Sequence, residues 1–240
     1  MRNKIVVVSG FRGSGKSTVA AGILRSQPGI ILRDPNEDDA YTFMPNTVYS
    51  LEDVKKYLND MLIAQRAGGA ETMAIRYVPD LPEDDHADLN EFCAIVWNRL
   101  KNVWVGFEEI SEAVQNPSAA AMPAQLRRIV NRGRHRGLNQ IYCGLRYAEI
   151  PRPVTAGADV QVIFQTQEPG DLDSLHARIG DEATEKVQHL GEHEALVFLR
   201  NRTFETVSSR DAKEIARLLS SRPEPLTEEG IVERAAARGR

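Results

Sequence analysis

Gly10-Phe11-Arg12-Gly13-Ser14-Gly15-Lys16-Ser17 constrains the fold of this 240-residue chain more than any other stretch. It satisfies G-x-x-x-x-G-K-[ST] in the required context. Lys4 to Val8 is a short β-branched run that reads as a buried parallel strand, and residues 16–26 switch to helical spacing. Glycines let successive backbone N–H groups turn inward around phosphate oxygens, and the helix that follows adds the positive end of its dipole. Gly10 through Thr18 are therefore the expected nucleotide-binding residues. Within them Lys16 bridges the terminal phosphates and the Ser17 hydroxyl ligates Mg²⁺.

A loop of this kind works with a carboxylate at the end of a neighbouring strand. Val103-Trp104-Val105-Gly106-Phe107-Glu108-Glu109 is the best match, an apolar strand followed by two acids. Glu108 then faces the metal, and Glu109 polarises a water for attack on the terminal phosphate. Glu108 stands where aspartate is usual, so its longer side chain needs room. The bland alternative is a pair of glutamates favoured by a helix N-terminus. A second acid placed for water activation points to hydrolysis of ATP with Mg²⁺ and away from a kinase; a P-loop nucleotide kinase and a non-hydrolysing nucleotide switch are the alternatives of a different class.

The rest of the chain alternates strands with helices. Gly29–Leu32, Thr72–Val78, Gln140–Leu145, Val160–Gln165 and Ala195–Leu199 read as further strands. Helices are expected over Leu51–Ala67, His86–Lys101, Pro123–Arg136, Asp171–Ile179 and Arg210–Leu219. Ser50 and Asp53 have the spacing of a capping box at the start of the first of these, and Gly68-Gly69 ends it. This predicts a three-layer α/β fold around a mostly parallel sheet: one domain over residues 1–220, then a polar tail over 221–240. Hydrophobic residues at 42% and charged residues at 27% exclude collagen-like, disordered and membrane classes. Cys93 and Cys143 lie in apolar segments without metal-ligand spacing and read as buried thiols in a reducing, cytoplasmic compartment.

The net charge of −4 conceals segregation. Pro123 to Arg152 carries seven arginines against Glu149 alone, whereas Asp80 to Glu91 carries six acids and no base. Asp84, Asp85 and Asp88 with His86 read as a solvated acidic loop in preference to a metal cluster. His135 has no acid partner at a readable spacing, and Trp97 and Trp104 read as core residues.

The P-loop, Ile31-Leu32-Arg33-Asp34-Pro35-Asn36-Glu37, Phe107-Glu108-Glu109, Arg132-Gly133-Arg134-His135-Arg136-Gly137 and Gln167-Glu168-Pro169-Gly170-Asp171-Leu172 follow in that order. This series resembles the HerA/FtsK superfamily of ring-forming ATPases, in particular genome-packaging ATPases of tailless, membrane-containing icosahedral DNA viruses. The resemblance implies a RecA-like core of the ASCE type, with a sensor strand between the strands of the P-loop and of the acids. It also implies a homo-oligomeric ring, hexameric in preference to pentameric, around double-stranded DNA. Virion vertex or membrane proteins are further implied partners, the chain itself spanning no membrane and lying in the host cytoplasm or on the virion. A filamentous-phage assembly ATPase and a plasmid or cellular DNA translocase are the alternatives within the same motor class. In such rings an arginine of one subunit completes its neighbour's site. Arg134 ranks first for that role, then Arg136 and Arg132, with cap or DNA contact as the alternatives. The family places a polar residue at the end of the sensor strand, where this chain has Leu145; Arg146 is the nearest polar side chain. Asp34 is a site-proximal residue with a weaker role.

Overall fold

The computed structural model describes residues 4–66, 73–80, 84–114, 116–211, 215 and 217. The expected helix over 210–219, the glycine stop at 68–69 and the polar tail fall largely or wholly outside them. In chain order the elements are β1 (Ile5–Ser9), α1 (Lys16–Leu24), β2 (Gly29–Arg33), β3 (Asn46–Val48), α2 (Leu51–Arg66), β4 (Met73–Tyr77), α3 (Asp85–Arg99), β5 (Trp104–Phe107) and α4 (Ile110–Ala113). They continue with α5 (Ala124–Arg132), β6 (Asn139–Gly144), α6 (Arg152–Gly157), β7 (Val160–Phe164), α7 (Pro169–Ile179), α8 (Asp181–Gln188), β8 (Glu194–Leu199) and β9 (Phe204–Ser208).

The strands form one sheet in the order β3-β4-β2-β5-β6-β1-β7-β8-β9. All neighbours up to β7 pair in parallel, and β8 and β9 close the edge antiparallel. β6 lies between β1 and β5, the place implied for the sensor strand. The central strands are buried on both faces, which is why they read as unbroken β-branched runs. Alternation still sorts their side chains. Ile5 and Val7 of β1 join a core built with α2, α3, α5 and α6, while Val6 and Val8 pack with α1 on the other face. The antiparallel edge packs under α7 and α8 through Ile163, Leu196 and Phe198.

Local sequence sets most element ends. Ser50 accepts the Asp53 N–H at 3.1 Å and donates its hydroxyl to the Asp53 carboxylate at 2.7 Å, capping α2 as its spacing implies. The arginine-rich helix is shorter than its periodicity suggests. α5 stops at Arg132, and Gly133–Arg136 tighten into a 3₁₀ turn that Gly137 ends at φ 68°. β3 and β9 escape an apolar-run criterion because both are half-exposed edge strands.

The acidic run is not the solvated loop that its composition suggests. Asp84 caps α3 by accepting the Ala87 N–H, and Asp85 and Asp88 in the first turn both pair with Arg33, whose side chain is 2% exposed. Tyr77 adds its hydroxyl to Asp88. Arg33 ends β2 facing the amino end of α3, so the acids offset a cation buried at a strand end and complement the helix dipole. Breaking a buried pair by removing one partner typically costs about 3–5 kcal/mol. Arg33→Met is therefore expected to lower unfolding stability by roughly that amount in urea titration, far more than Glu52→Gln in an exposed pair.

Candidate active site

Parallel pairing brings the carboxyl ends of β1, β2, β5 and β6 to one edge of the sheet. There the chain after β1 turns through Gly13 (φ 83°) and Gly15 (φ 107°), left-handed conformations that glycine adopts without penalty, and enters α1. Gly10 is glycine for a different reason, since a Cβ there would lie 2.5 Å from the Phe164 Cβ. The Lys16 ammonium, 7% exposed, donates to the Phe11 carbonyl at 3.2 Å, and the buried Ser14 hydroxyl has no partner.

Arg12, Gly13, Gly15, Lys16, Ser17 and Thr18 line a cavity of about 470 Å³ together with Glu108 and Glu109. Sequence reasoning had paired these two groups, and the fold brings them to one cavity. Gly10 and Ser14 shape the loop from behind, and the Phe11 side chain is 51% exposed at its rim. Asp34, Asn36, Asp38, Glu112 and Leu145 complete the wall. Of these Asn36, Asp38 and Glu112 were not expected. The signal that pointed to the β2 side was the Arg33-Asp34-Pro35-Asn36 stop, because ligands of parallel sheets sit beyond carboxyl strand ends.

The two glutamates are held differently. Glu108 is 5% exposed, and the buried Tyr41, in the turn after β2, donates its hydroxyl to Glu108 Oε1. This contact takes up the extra methylene that distinguishes glutamate from the usual aspartate. Burial pushes the Glu108 carboxyl up to about 7, with the Tyr41 bond opposing the shift and the neighbouring Asp34 charge adding to it. Glu109 adopts φ 42° and ψ 53°, a left-handed conformation that costs a non-glycine residue of order 1 kcal/mol or more. That backbone aims its carboxylate at the end of β6, where Oε1 accepts the Leu145 N–H at 2.9 Å and the Ser111 hydroxyl at 2.8 Å. β6 thus touches the site through its main chain. Leu145 needs no polar side chain for that contact, and its apolar one is 39% exposed at the cavity wall.

The arginines lie elsewhere. Arg146 follows Leu145 but turns away from the cavity toward Glu149, Glu168 and Asp171, at 3.5–3.7 Å. Arg132, Arg134 and Arg136 stand before β6, at the opposite end of the strands. Arg136 donates to the Leu100 carbonyl and stacks with Arg128 on Trp97, while Arg132 and Arg134 are exposed. Among the described residues, no carboxylate lies within ion-pair distance of Arg132, Arg134 or Arg136.

No protein-family model and no curated protein matches the chain. Solved structures do. The genome packaging NTPase B204 from Sulfolobus turreted icosahedral virus 2, in complex with AMP, aligns with a TM-score of 0.64 at 20% identity, over 86% of this chain and 98% of that one. The same protein in complex with ATP-gammaS gives 0.63 at 21% identity, over 85% and 96%. VirB4 of Thermoanaerobacter pseudethanolicus gives 0.60 at 13% identity, over 86% and 89%. The chain shares the α/β fold of these proteins over most of its length. In that fold the cavity between the P-loop and the β5 acids suits a hard divalent cation. Ser17 and Glu108 offer oxygen donors, and no cluster of three or more His, Cys, Asp or Glu side chains among the described residues forms a closed metal cage. Such a donor set fits Mg²⁺, which keeps waters and substrate oxygens in its shell.

The raised Glu108 carboxyl has a measurable consequence for stability. Its value in the fold lies above that of an unfolded glutamate, so its contribution is fully present below about pH 4.5 and is lost as pH rises through about 7. Over that window the loss is of order 3 kcal/mol. Glu108→Gln is expected to remove this component. The melting temperature of the variant relative to the parent then rises between pH 5 and pH 7.5; a constant difference would show that Glu108 titrates normally.

Proposed function

We propose that the chain is an Mg²⁺-dependent ATPase motor that moves double-stranded DNA, as in packaging of a viral genome, and that it works as a ring of identical chains, a hexamer. The arrangement of Glu109 carries this reading: a buried carboxylate across one cavity from a P-loop lysine, positioned by the end of the strand between them. That placement suits a base that orients an attacking water, and a phosphate-transferring kinase has no need of it. Lys16 and the loop N–H groups hold the phosphates, and Ser17 with Glu108 holds the Mg²⁺, whose charge offsets that developing on the phosphate oxygens. The solved relatives in fold support the nucleotide and the cargo: one is named a genome packaging NTPase and was solved with AMP and ATP-gammaS.

The ring rests on the arginines. β6 has six residues at about 3.3 Å each, so Arg134 stands about 20 Å from the P-loop of its own chain. At that distance it completes a nucleotide site only in a neighbouring copy. Its exposure and lack of a carboxylate partner leave it free to do so, and the other arginines of this face can neutralise DNA phosphates. Among the described residues no helix is long and apolar enough to cross a membrane. We place the motor in the host cytoplasm or on the virion, docked to vertex or membrane proteins. A plasmid or cellular DNA translocase would use the same engine on other DNA.

Glu109→Gln is expected to retain ATP binding and lose turnover by 10²-fold or more. Arg134→Ala is expected to lower turnover by about 10³-fold. A mixture of Lys16→Ala and Arg134→Ala chains should recover part of the activity, because an intact P-loop of one chain meets an intact arginine of the other. ATPase rate per chain should rise with protein concentration and with added double-stranded DNA. A rate independent of both, with no recovery on mixing, overturns the ring.

A further inference from the structure

We infer that Asp34 supplies a second carboxylate to the divalent cation, beside Glu108; this deepens the ATPase reading and rests on it. β2 and β5 pair in parallel with Leu32 opposite Gly106 and Arg33 opposite Phe107, so Asp34 falls opposite Glu108 on the same face. Both acids line the cavity that holds Ser17. Asp34 is fully buried, and its two oxygens have unequal surroundings. Oδ2 accepts from Arg76 Nε at 2.9 Å, from Arg76 Nη2 at 2.6 Å and from the Asp38 N–H at 3.0 Å. Oδ1 is equally buried and accepts nothing.

A carboxylate oxygen left bare inside a protein is costly, and most such atoms in native structures have a partner. Glu108 is held by the Tyr41 hydroxyl on Oε1 and by the Cys143 thiol. Arg76 pairs with Asp34 alone, so Glu108 stands beside Asp34 with no ion-pair partner of its own among the described residues. A divalent cation satisfies both conditions: it offsets the remaining charge and, through its ligands or its water shell, gives Oδ1 a partner. Arg76 then has a definite task, to hold Asp34 by one oxygen so that the other faces the cation.

The usual acid of such sites is an aspartate and here it is Glu108, which makes aspartate labelling diagnostic. In full-length protein with ¹³C-carboxyl aspartate, loaded with ADP and Mn²⁺, electron–nuclear double resonance should show a carboxyl ¹³C coupling at coordination or water-bridged distance. It should persist in Asp38→Asn, the other aspartate of the cavity wall. No such coupling, or its loss in Asp38→Asn, overturns the inference. Asp34→Asn, paired with Arg76→Gln to keep the buried pair neutral, should weaken Mn²⁺ binding to the ADP complex at least 10-fold. ADP affinity in EDTA should change by less than about 2-fold. Unchanged Mn²⁺ affinity in a folded variant refutes Asp34 alone, whereas wild-type protein that binds neither ADP nor ATP refutes the ATPase reading and this inference with it.

Discussion

The parallel pairing of β6 with β1 on one side and β5 on the other is the constraint on which the rest of the site depends. Parallel register brings three strand ends level, and β6 then ties the two functional segments with its main chain. The Gly144 carbonyl accepts the Gly10 N–H at 3.3 Å, and one residue on, the Leu145 N–H reaches Glu109. A P-loop and an acid-bearing turn are thereby spaced by one strand width on either side of a common support, about 4.8 Å each. Close packing holds this in place: a Cβ on Gly144 would lie 2.9 Å from Ile150, and one on Gly106 would lie 2.6 Å from Leu32. The left-handed backbone of Glu109 is tolerated because two donors and the start of α4 fix it.

Charge burial organises the β2 end. Arg33 and Asp34 are adjacent in sequence, alternate across the sheet, and so carry opposite charges into opposite layers. Arg33 meets the acids of α3 on one side, and Asp34 meets Arg76 of β4 on the other. Each pair anchors a crossover to the strand that ends at the cavity. The Arg33 pair holds α3 on the face away from α1. The Asp34 pair, through the Asp38 N–H and carbonyl, holds the turn that carries Tyr41 to Glu108.

How much of this was legible in the sequence follows from the range of the interactions. The P-loop, the buried central strands, the capped α2 and the acids after β5 are local patterns, in which spacing along the chain determines geometry. Local patterns also misled. Six acids between Asp80 and Glu91 look solvated until a buried arginine fifty residues away claims two of them. Tyr41 lies in a turn with no periodicity, so its contact with Glu108 had no sequence signal beyond the glutamate itself, too long for its place. Leu145 has an apolar side chain, whereas its backbone N–H makes the contact with Glu109; main-chain donors are invisible to residue identity. β3 and β9 are edge strands whose exposed residues blur any apolar run.

The arginine segment divides along the same lines. Arg146 lies on the edge of the P-loop, but three carboxylates surround it, two of them from the Gln-Glu-Pro-Gly-Asp-Leu stretch, so its charge is already answered within the chain. Arg128 and Arg136 are committed to Trp97, and Arg136 also closes the end of α3 through the Leu100 carbonyl. Arg132 and Arg134 remain exposed at the far end of the strands without a charged partner among the described residues. A net charge of −4 says nothing of this. What matters is where the charges fall: six acids pair with Arg33, Arg76 and Arg146, whereas Arg132 and Arg134 stand exposed without a charged partner among the described residues. In the proposed ring, this exposed basic end is the surface offered to the nucleotide site of a second copy.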